Sequence, residues 1–198
     1  MDGLSANMTT PRATDIRIPG DKDVWVLIGA ELLTFGMFFV AFIGYRALEV
    51  AHFNASQTAL HRNLGLLNTL FLVTSSWCVV QAVRAAREDR PASVARSLGI
   101  AILLGISVMV VKALEYTELV SSGVGMTTDN FFMFYYCLTI IHLLHVVGGT
   151  VILTVMWANA RTGRYHSGNT TGLETGASYW HMVDLLWIFL FPLLYLVR

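Results

Sequence analysis

The residues of this chain best suited to chemistry lie in its last apolar stretch. The run from Ala177 to Val197 is long enough to span a bilayer core, which takes about 20 residues, yet it contains His181 and Asp184 near its start. Side chains three residues apart lie on one face of a helix, so these two can contact each other or share a partner. Ionisable groups at membrane depth cost about 2.5–3.5 kcal/mol each on insertion scales, so they point to function. This face of the helix is expected to meet protein instead of lipid.

Other apolar stretches also carry ionisable side chains. Glu31 lies in the first stretch, and a carboxyl that is unpaired in hydrocarbon tends to stay protonated. Two interpretations follow for Glu31: a neutral carboxyl hydrogen-bonded to a neighbouring helix, or a proton-responsive group in a lipid-lined cleft. Lys112 and Glu115 lie near the far end of the third stretch. Their spacing favours a mutually neutralising ion pair near the outer membrane surface, where the lysine can also snorkel towards the headgroups.

His142 and His145 in the fourth stretch raise the question of haem or metal binding, because imidazole ligates both. A haem–copper centre with a second bis-histidine haem needs about six buried histidines. The chain has six histidines in all, and three of them fall in predicted loops, namely His52, His61 and His166. A single site built from two of the remaining three stays open as an alternative. Hydrogen bonding between helices, worth about 0.6–2 kcal/mol per contact, is the favoured role.

The composition is that of an integral membrane protein. Hydrophobic residues make up 55% of the chain and charged residues 13%. A net charge of zero gives no indication of a nucleic-acid partner. Two cysteines within apolar stretches favour neither a disulfide framework nor a zinc site. We predict an all-α fold with a polar tail over residues 1–23 and a five-helix membrane domain over 24–198. The predicted spans are 24–45, 63–83, 97–117, 130–157 and 177–197, with polar, basic or glycine-containing connections between them.

The basic residues predict the orientation of these helices. The tail and the second and fourth connections hold nine basic residues, namely Arg12, Arg17, Lys22, Arg84, Arg87, Arg90, Arg96, Arg161 and Arg164. The opposite side holds three, namely Arg46, Arg62 and Arg198. The positive-inside rule therefore predicts a cytoplasmic N-terminus and a periplasmic C-terminus. In this orientation, the carboxyl and histidine positions of the first, fourth and fifth spans could form one buried polar layer.

Five segments of the chain carry a recognisable pattern. They are Gly29-Ala30-Glu31-Leu32-Leu33; Leu66-Leu67-Asn68-Thr69 with Thr74-Ser75-Ser76; Lys112-X-X-Glu115-Tyr116; Phe131-Phe132 with His142-Leu143-Leu144-His145-Val146; and Tyr179-Trp180-His181-X-Val183-Asp184-X-X-Trp187. In this order they resemble subunit III of the haem–copper oxidases over nearly the whole chain. The chain is similar to the five-helix bacterial forms. Pro19-Gly20-Asp21 and Leu190-Phe191-Pro192-Leu193-Leu194-Tyr195 look most like the branch associated with nitric oxide reductase.

The resemblance implies a subunit without catalytic residues, redox cofactor or metal. Such a subunit packs against a haem–copper catalytic subunit in the bacterial inner membrane and holds phospholipid in a cleft. It supports proton uptake, durability of the catalytic centre and access of the gaseous substrate. Glu31 looks like the family's carbodiimide-reactive carboxyl, and His145, His181 and Asp184 fall on its buried polar positions.

Our hypothesis is therefore an accessory subunit of a nitric oxide reductase or terminal oxidase, active in respiratory electron transport or denitrification. The first alternative is a conventional subunit III of a proton-pumping cytochrome c or quinol oxidase. The second is a small b-type cytochrome that uses His142 or His145. A transporter that uses Glu31 and Lys112 is disfavoured, because the sequence has no paired broken helices.

Overall fold

The structure is a computed structural model, and it describes residues 20–197. Its elements are α1 (Lys22–Leu48), α2 (Val50–Gln57), α3 (Arg62–Arg87), α4 (Pro91–Ser121), α5 (Asn130–Arg161), α6 (Thr171–Phe191) and a π-helical turn (Pro192–Leu196). All of these except α2 and the turn are long and apolar enough to cross a membrane, and the turn extends the last span to Leu196. The predicted all-α fold with five membrane-crossing helices is therefore confirmed. Most of the predicted polar tail, residues 1–19, lies outside the described residues.

Helices α3 to α6 form a closed bundle, and α1 packs against its side. Helix α3 contacts α4 and α6, α5 contacts the same two helices, and α1 lies against α5 and α6. The buried Trp180 of α6 fits between Gly105 and Gly149, where a β-carbon at Gly149 would fall 2.6 Å from the indole ring. Small residues at such crossings allow helices in lipid to approach closely. Helix α6 thus packs against α1, α3 and α5, and its Trp180 side chain also reaches α4 at Gly105.

The connections between helices are shorter than predicted. The basic segment 84–96 was expected to be a loop, but α3 continues to Arg87 and α4 begins at Pro91, a residue favoured in the first helical turn. Alanine and arginine are good helix formers, so a helix need not end where its hydrophobic stretch ends. At the turn between them, the Ser167 backbone N–H donates to Asp89 Oδ1 at 2.7 Å. This hydrogen bond lowers the pKa of the Asp89 carboxyl.

The connection after α1 is also more ordered than the polar loop predicted for residues 46–62. Helix α2 buries Phe53 completely, with its ring 5.5 Å from that of Phe42 and 5.7 Å from that of Phe131. The Gln57 side chain donates to the Leu194 carbonyl at 2.8 Å. Helix α2 therefore covers the end of the bundle that carries the C-terminus.

Candidate functional site

His181 and Asp184 lie on the side of α6 that faces α3. His181 Nδ1 is 3.5 Å from Asp184 Oδ2, and the same nitrogen is hydrogen-bonded to Ser76 Oγ on α3. The Asp184 side chain is 13% exposed, whereas that of His181 is 39% exposed. The structure thus brings together the pair expected from the spacing. It adds Ser76, which the sequence indicated only as part of a polar run.

Glu31 is paired with His145 across the contact between α1 and α5. Glu31 Oε2 is 3.2 Å from His145 Nε2, and the two side chains are 26% and 16% exposed. His145 Nδ1 lies 2.8 Å from the carbonyl oxygen of Ile141. A carbonyl only accepts hydrogen bonds, so Nδ1 carries a proton and donates it. A hydrogen bond between Glu31 Oε2 and His145 Nε2 then requires one further proton, on the carboxyl group or on the ring.

The polar groups that the sequence suggested for one layer lie in two pairs on different sides of α6. Tyr179 lies close enough to Glu31 for the two side chains to interact electrostatically. It lines a cavity of about 560 Å³ between α1, α5 and α6. His181 lines a different cavity, of about 250 Å³, between α3 and α6. Residues two apart on a helix point in roughly opposite directions, since each residue turns about 100°. Helix α6 therefore separates the Glu31–His145 pair from the His181–Asp184 pair.

His142 forms a third, separate feature. Its ring is buried and stacks on Trp187, with centroids 5.3 Å apart. Neither of its ring nitrogens has a hydrogen-bond partner within residues 20–197. His145, three residues later, has both nitrogens engaged as described above. The two histidines thus do not share a site, although their spacing would allow one.

The described residues contain no group of three or more histidine, cysteine, aspartate or glutamate side chains arranged to hold a metal ion. The absence of a haem or metal from the functional protein stays a prediction.

Lys112 and Glu115 form the expected ion pair, with Nζ and Oε2 2.8 Å apart, but its surroundings differ from the prediction. Both side chains are buried inside the bundle, so the lysine does not snorkel. Tyr135 and Tyr195 hydroxyls lie 3.1 and 2.9 Å from Nζ, and the Tyr195 hydroxyl donates to Glu115 Oε1 at 2.7 Å. Aromatic rings of Tyr135 and Trp187 lie 4.8 and 5.3 Å from Nζ.

Tyr135 and Tyr195 were not among the candidate site residues chosen from the sequence, although Trp187 and Tyr195 lie in the motifs quoted above. A tyrosine in an apolar stretch has no periodic signal of its own. What could have indicated a role for it is a hydroxyl group at a depth where lipid offers no hydrogen-bond partner. Their hydroxyl groups complete a hydrogen-bond network around the buried Lys112–Glu115 pair, and this network links α4, α5 and the C-terminal turn.

Comparison with known proteins identifies the family to which the segment containing these sites is similar. Residues 23–197 match the family model described as "Cytochrome c oxidase subunit III". The chain is similar to "Cytochrome c oxidase subunit 3" of Synechocystis, with 33% identity over 184 residues, 92% of this chain and 76% of that protein. It is similar to "Probable cytochrome c oxidase subunit 3" of Nocardia farcinica, with 27% identity over 198 residues, 99% of this chain and 98% of that protein.

A third relative has a different organisation. The chain is similar to "Heme-copper oxidase subunit I+III" of Aeropyrum pernix, with 30% identity over 189 residues, which are 90% of this chain and 23% of that protein. The name of that protein combines subunits I and III.

Proposed function

Since this chain belongs to the cytochrome c oxidase subunit III family, we propose that it is a non-catalytic accessory subunit of a haem–copper respiratory complex. The observation that carries the proposal is the family match over residues 23–197, which includes every polar pair described above. The geometry supports it, because the ionisable groups of the described bundle pair with one another and do not converge on a reacting centre. The chain is a multi-pass membrane protein, and we place it in a bacterial inner membrane.

The partner in this proposal is a subunit I-like catalytic chain. Subunit III relatives work with a haem–copper subunit I, and the Aeropyrum protein carries both in its name. Within such a complex, the Glu31–His145 pair would hold one proton beside the cavity between α1, α5 and α6. A pair that holds a proton in this place could support proton uptake by the catalytic subunit. The largely apolar walls of the cavity suit phospholipid, and we propose that lipid there helps to preserve the catalytic centre and admit an apolar gas.

The gas that the complex reduces has two candidates. Oxygen is favoured, because the relatives from Synechocystis and Nocardia are both named as cytochrome c oxidase subunits. Nitric oxide stays a second candidate on the strength of the Pro19-Gly20-Asp21 and Leu190-to-Tyr195 segments. None of the relatives described above is named as a nitric oxide reductase subunit, so that narrower role and its link to denitrification have no support from them.

Purification with native partners tests the proposal. The chain should co-purify in mild detergent with a haem–copper catalytic subunit, which mass spectrometry would identify. Oxygen and nitric oxide consumption by that complex would then separate the two candidate gases. Recovery of the chain alone, or with an unrelated transporter or cytochrome, would contradict the accessory-subunit proposal.

A further inference from the structure

A groove lined by both apolar and polar side chains lies between α3 and α6. We call it the α3–α6 groove; Arg84 and Arg87 line it from α3, and Glu174, Ser178 and His181 line it from α6. Arg87 and Glu174 form an ion pair at 2.9 Å, whereas Arg84 is exposed and makes no ion pair with any residue from 20 to 197. His181 lies ten residues into α6, about 15 Å along its axis at 1.5 Å per residue. The groove therefore carries polar groups from the end of the bundle to well within the membrane.

His181 is the group in this groove that most requires a partner. Its Nδ1 is engaged by Ser76 and Asp184, but Nε2 has no hydrogen-bond partner within the described chain. The side chain is nevertheless partly exposed on the outside of the bundle. A polar atom that faces hydrocarbon without a partner is strongly disfavoured, because lipid tails cannot replace water as a hydrogen-bond partner.

The other outward surfaces of the bundle do not have this property. The exposed positions along the middle of α4 are apolar, namely Ile100, Leu103, Ile106 and Val110. Glu31 and His145 are partly exposed on the α1 side, but each is the partner of the other and the remaining His145 nitrogen donates to Ile141. Of the histidines at membrane depth, His181 is thus the one that is both accessible and incompletely hydrogen-bonded.

Trp77 is a second, independent feature of the same surface. Trp77 is 61% exposed. It lies about one helical turn before Val80 and two turns before Arg84, and both of these residues line the groove. Tryptophan in membrane proteins is enriched at the two water interfaces, whereas Trp77 lies fifteen residues into α3, about 22 Å from its start. Large aromatic residues are common anchors of protein–protein interfaces. An exposed midspan tryptophan that directly follows Ser76, the partner of His181, favours protein as the neighbour.

We propose that the α3–α6 groove is the docking surface for the catalytic subunit, with His181 Nε2 hydrogen-bonded to a polar side chain of that subunit. This inference rests on the proposed function for the existence of the partner. Trp77 and Leu185 pack around the hydrogen bond, and Arg84 meets a carboxylate of the partner where the groove reaches the end of the bundle. A phospholipid does not fit these needs, because its acyl chains offer His181 no hydrogen-bonding group at this depth.

Photo-crosslinking in the intact complex tests the surface. Benzoylphenylalanine at Trp77 or Leu185 should crosslink to the catalytic subunit at least tenfold more than the same probe at Leu103 or Val110 on α4. Equal yields at both surfaces, crosslinks confined to α4, or no crosslink from Trp77 and Leu185 would overturn the docking surface while the complex still co-purifies. Failure of the unmodified chain to co-purify with any haem–copper subunit would instead overturn the proposed function, and this inference with it.

Substitution of His181 tests the hydrogen bond itself. In H181F, we expect the dissociation constant for the catalytic subunit to rise roughly threefold to tenfold, the range for a hydrogen bond between membrane helices. H181Q should retain most of the affinity, because its amide can replace Nε2. H61F, at an exposed end position, is the matched control. H181F also loses the Nδ1 contacts with Ser76 and Asp184, so thermal unfolding of each free chain is measured alongside, and only a loss of affinity in folded H181F counts towards the hydrogen bond. Unchanged affinity in H181F, or equal losses in H181F and H181Q, would contradict the assigned hydrogen bond.

Discussion

At the level of single residues, the shared proton between Glu31 and His145 determines how a substitution acts. Because His145 Nδ1 donates to the Ile141 carbonyl, its Nε2 either accepts a proton from a neutral Glu31 or donates one to the carboxylate. Both states are neutral overall, which suits a site at membrane depth. The pair can therefore exchange a proton without placing a net charge in the bilayer.

Glu31→Gln should remove the titratable proton of the carboxyl group while it keeps the hydrogen bond to His145. The glutamine amide can still donate to His145 Nε2, so we expect the variant to insert and to co-purify with its catalytic partner. It cannot titrate, so the complex should show lower turnover or faster inactivation. Glu31→Ala should behave worse, because it leaves His145 unsatisfied at a cost of about 1–3 kcal/mol. Turnover followed over time, with complex lacking the subunit for comparison, measures both effects.

A hydrophobic carbodiimide supplies the control for this prediction. It reacts with neutral acids and approaches through apolar surroundings, so it should modify Glu31 in the wild-type membrane and not in Glu31→Gln. A Glu31→Gln complex that matched wild type in rate and lifetime would show that the carboxyl is only a structural partner of His145.

Lys112 and Glu115 illustrate a buried charge pair whose neutralisation is complete. Lys112→Ala should lower the free energy of unfolding by about 3–5 kcal/mol, because it leaves the Glu115 charge buried without its counter-ion. A double variant, Lys112→Met with Glu115→Leu, should recover part of this loss because no charge remains. Thermal unfolding of the purified chain in detergent checks both expectations.

The matched control is an exposed pair. Glu118 Oε1 and His61 Nε2 lie 2.8 Å apart at the surface. Glu118→Ala removes this contact and should change the free energy of unfolding by only about 0–1 kcal/mol. If Lys112→Ala were as mild as this control, the buried network would not hold α4, α5 and the C-terminal turn together.

At the level of elements, the packing of α6 depends on two glycines on neighbouring helices. Trp180 lies where β-carbons at Gly105 and Gly149 would fall 3.1 and 2.6 Å from its ring. The close approach lets Trp180 be buried completely while Tyr179 and His181 reach the two opposite cavities. The position of α6 thus decides which polar pair faces which side.

Gly149→Ala should therefore destabilise the bundle. The added methyl group meets the Trp180 ring, and overpacking of this kind costs about 1–3 kcal/mol. Gly148→Ala is the matched control on the same helix, since its β-carbon would lie 3.5 Å from the Tyr179 hydroxyl, an ordinary contact. Thermal unfolding of both variants gives the comparison. Equal stability would mean that α5 and α6 can separate without loss, against the packing described here.

At the level of the whole molecule, five crossings place the two ends of the membrane domain on opposite sides. Five of the described helices are long and apolar enough to cross a membrane, and the basic residues predict their orientation. Arg84, Arg87 and Arg96 now lie on the ends of α3 and α4 instead of in a loop. They still flank the same end of the bundle, so the positive-inside prediction is unaltered.

Reporter fusions test this orientation. A reporter at the C-terminus that is active only in the periplasm should be active, and one that works only in the cytoplasm should be silent. The same two reporters placed after Arg161, in the preceding connection, provide the internal control and should give the opposite result. An active cytoplasmic reporter at the C-terminus would show that the orientation or the number of crossings is wrong.

We also expect the isolated chain to hold no haem and no stoichiometric metal. Both ring nitrogens of His145 are engaged, by Glu31 and Ile141, and residues 20–197 contain no group of three or more histidine, cysteine, aspartate or glutamate side chains placed to hold a metal ion. An absorption spectrum and metal analysis of the purified chain check this expectation. Haem absorbance, or metal at about one atom per chain, would favour the b-type cytochrome alternative.

The sequence by itself determined the features that depend on local spacing and on total hydrophobicity. Long apolar stretches predicted five crossings because a bilayer tolerates little else than a helix there. Residues three apart predicted the contacts of His181 with Asp184 and of Lys112 with Glu115, since both pairs lie on one turn of a single helix. The ordered motifs indicated the family for the same reason: they can be read along the chain.

Only the tertiary structure decided which helices meet and how each helix is rotated. The pairing of Glu31 with His145 joins residues more than a hundred positions apart, and no periodicity along the chain specifies it. Packing of Trp180 against Gly105 and Gly149 fixes the rotation of α6, which sends Tyr179 and His181 to different sides. The burial of Lys112 among tyrosines joins side chains from α4, α5 and the C-terminal turn. In lipid, apolar faces are nearly equivalent as packing surfaces, so shape and polar satisfaction, not hydrophobic pattern, select the arrangement.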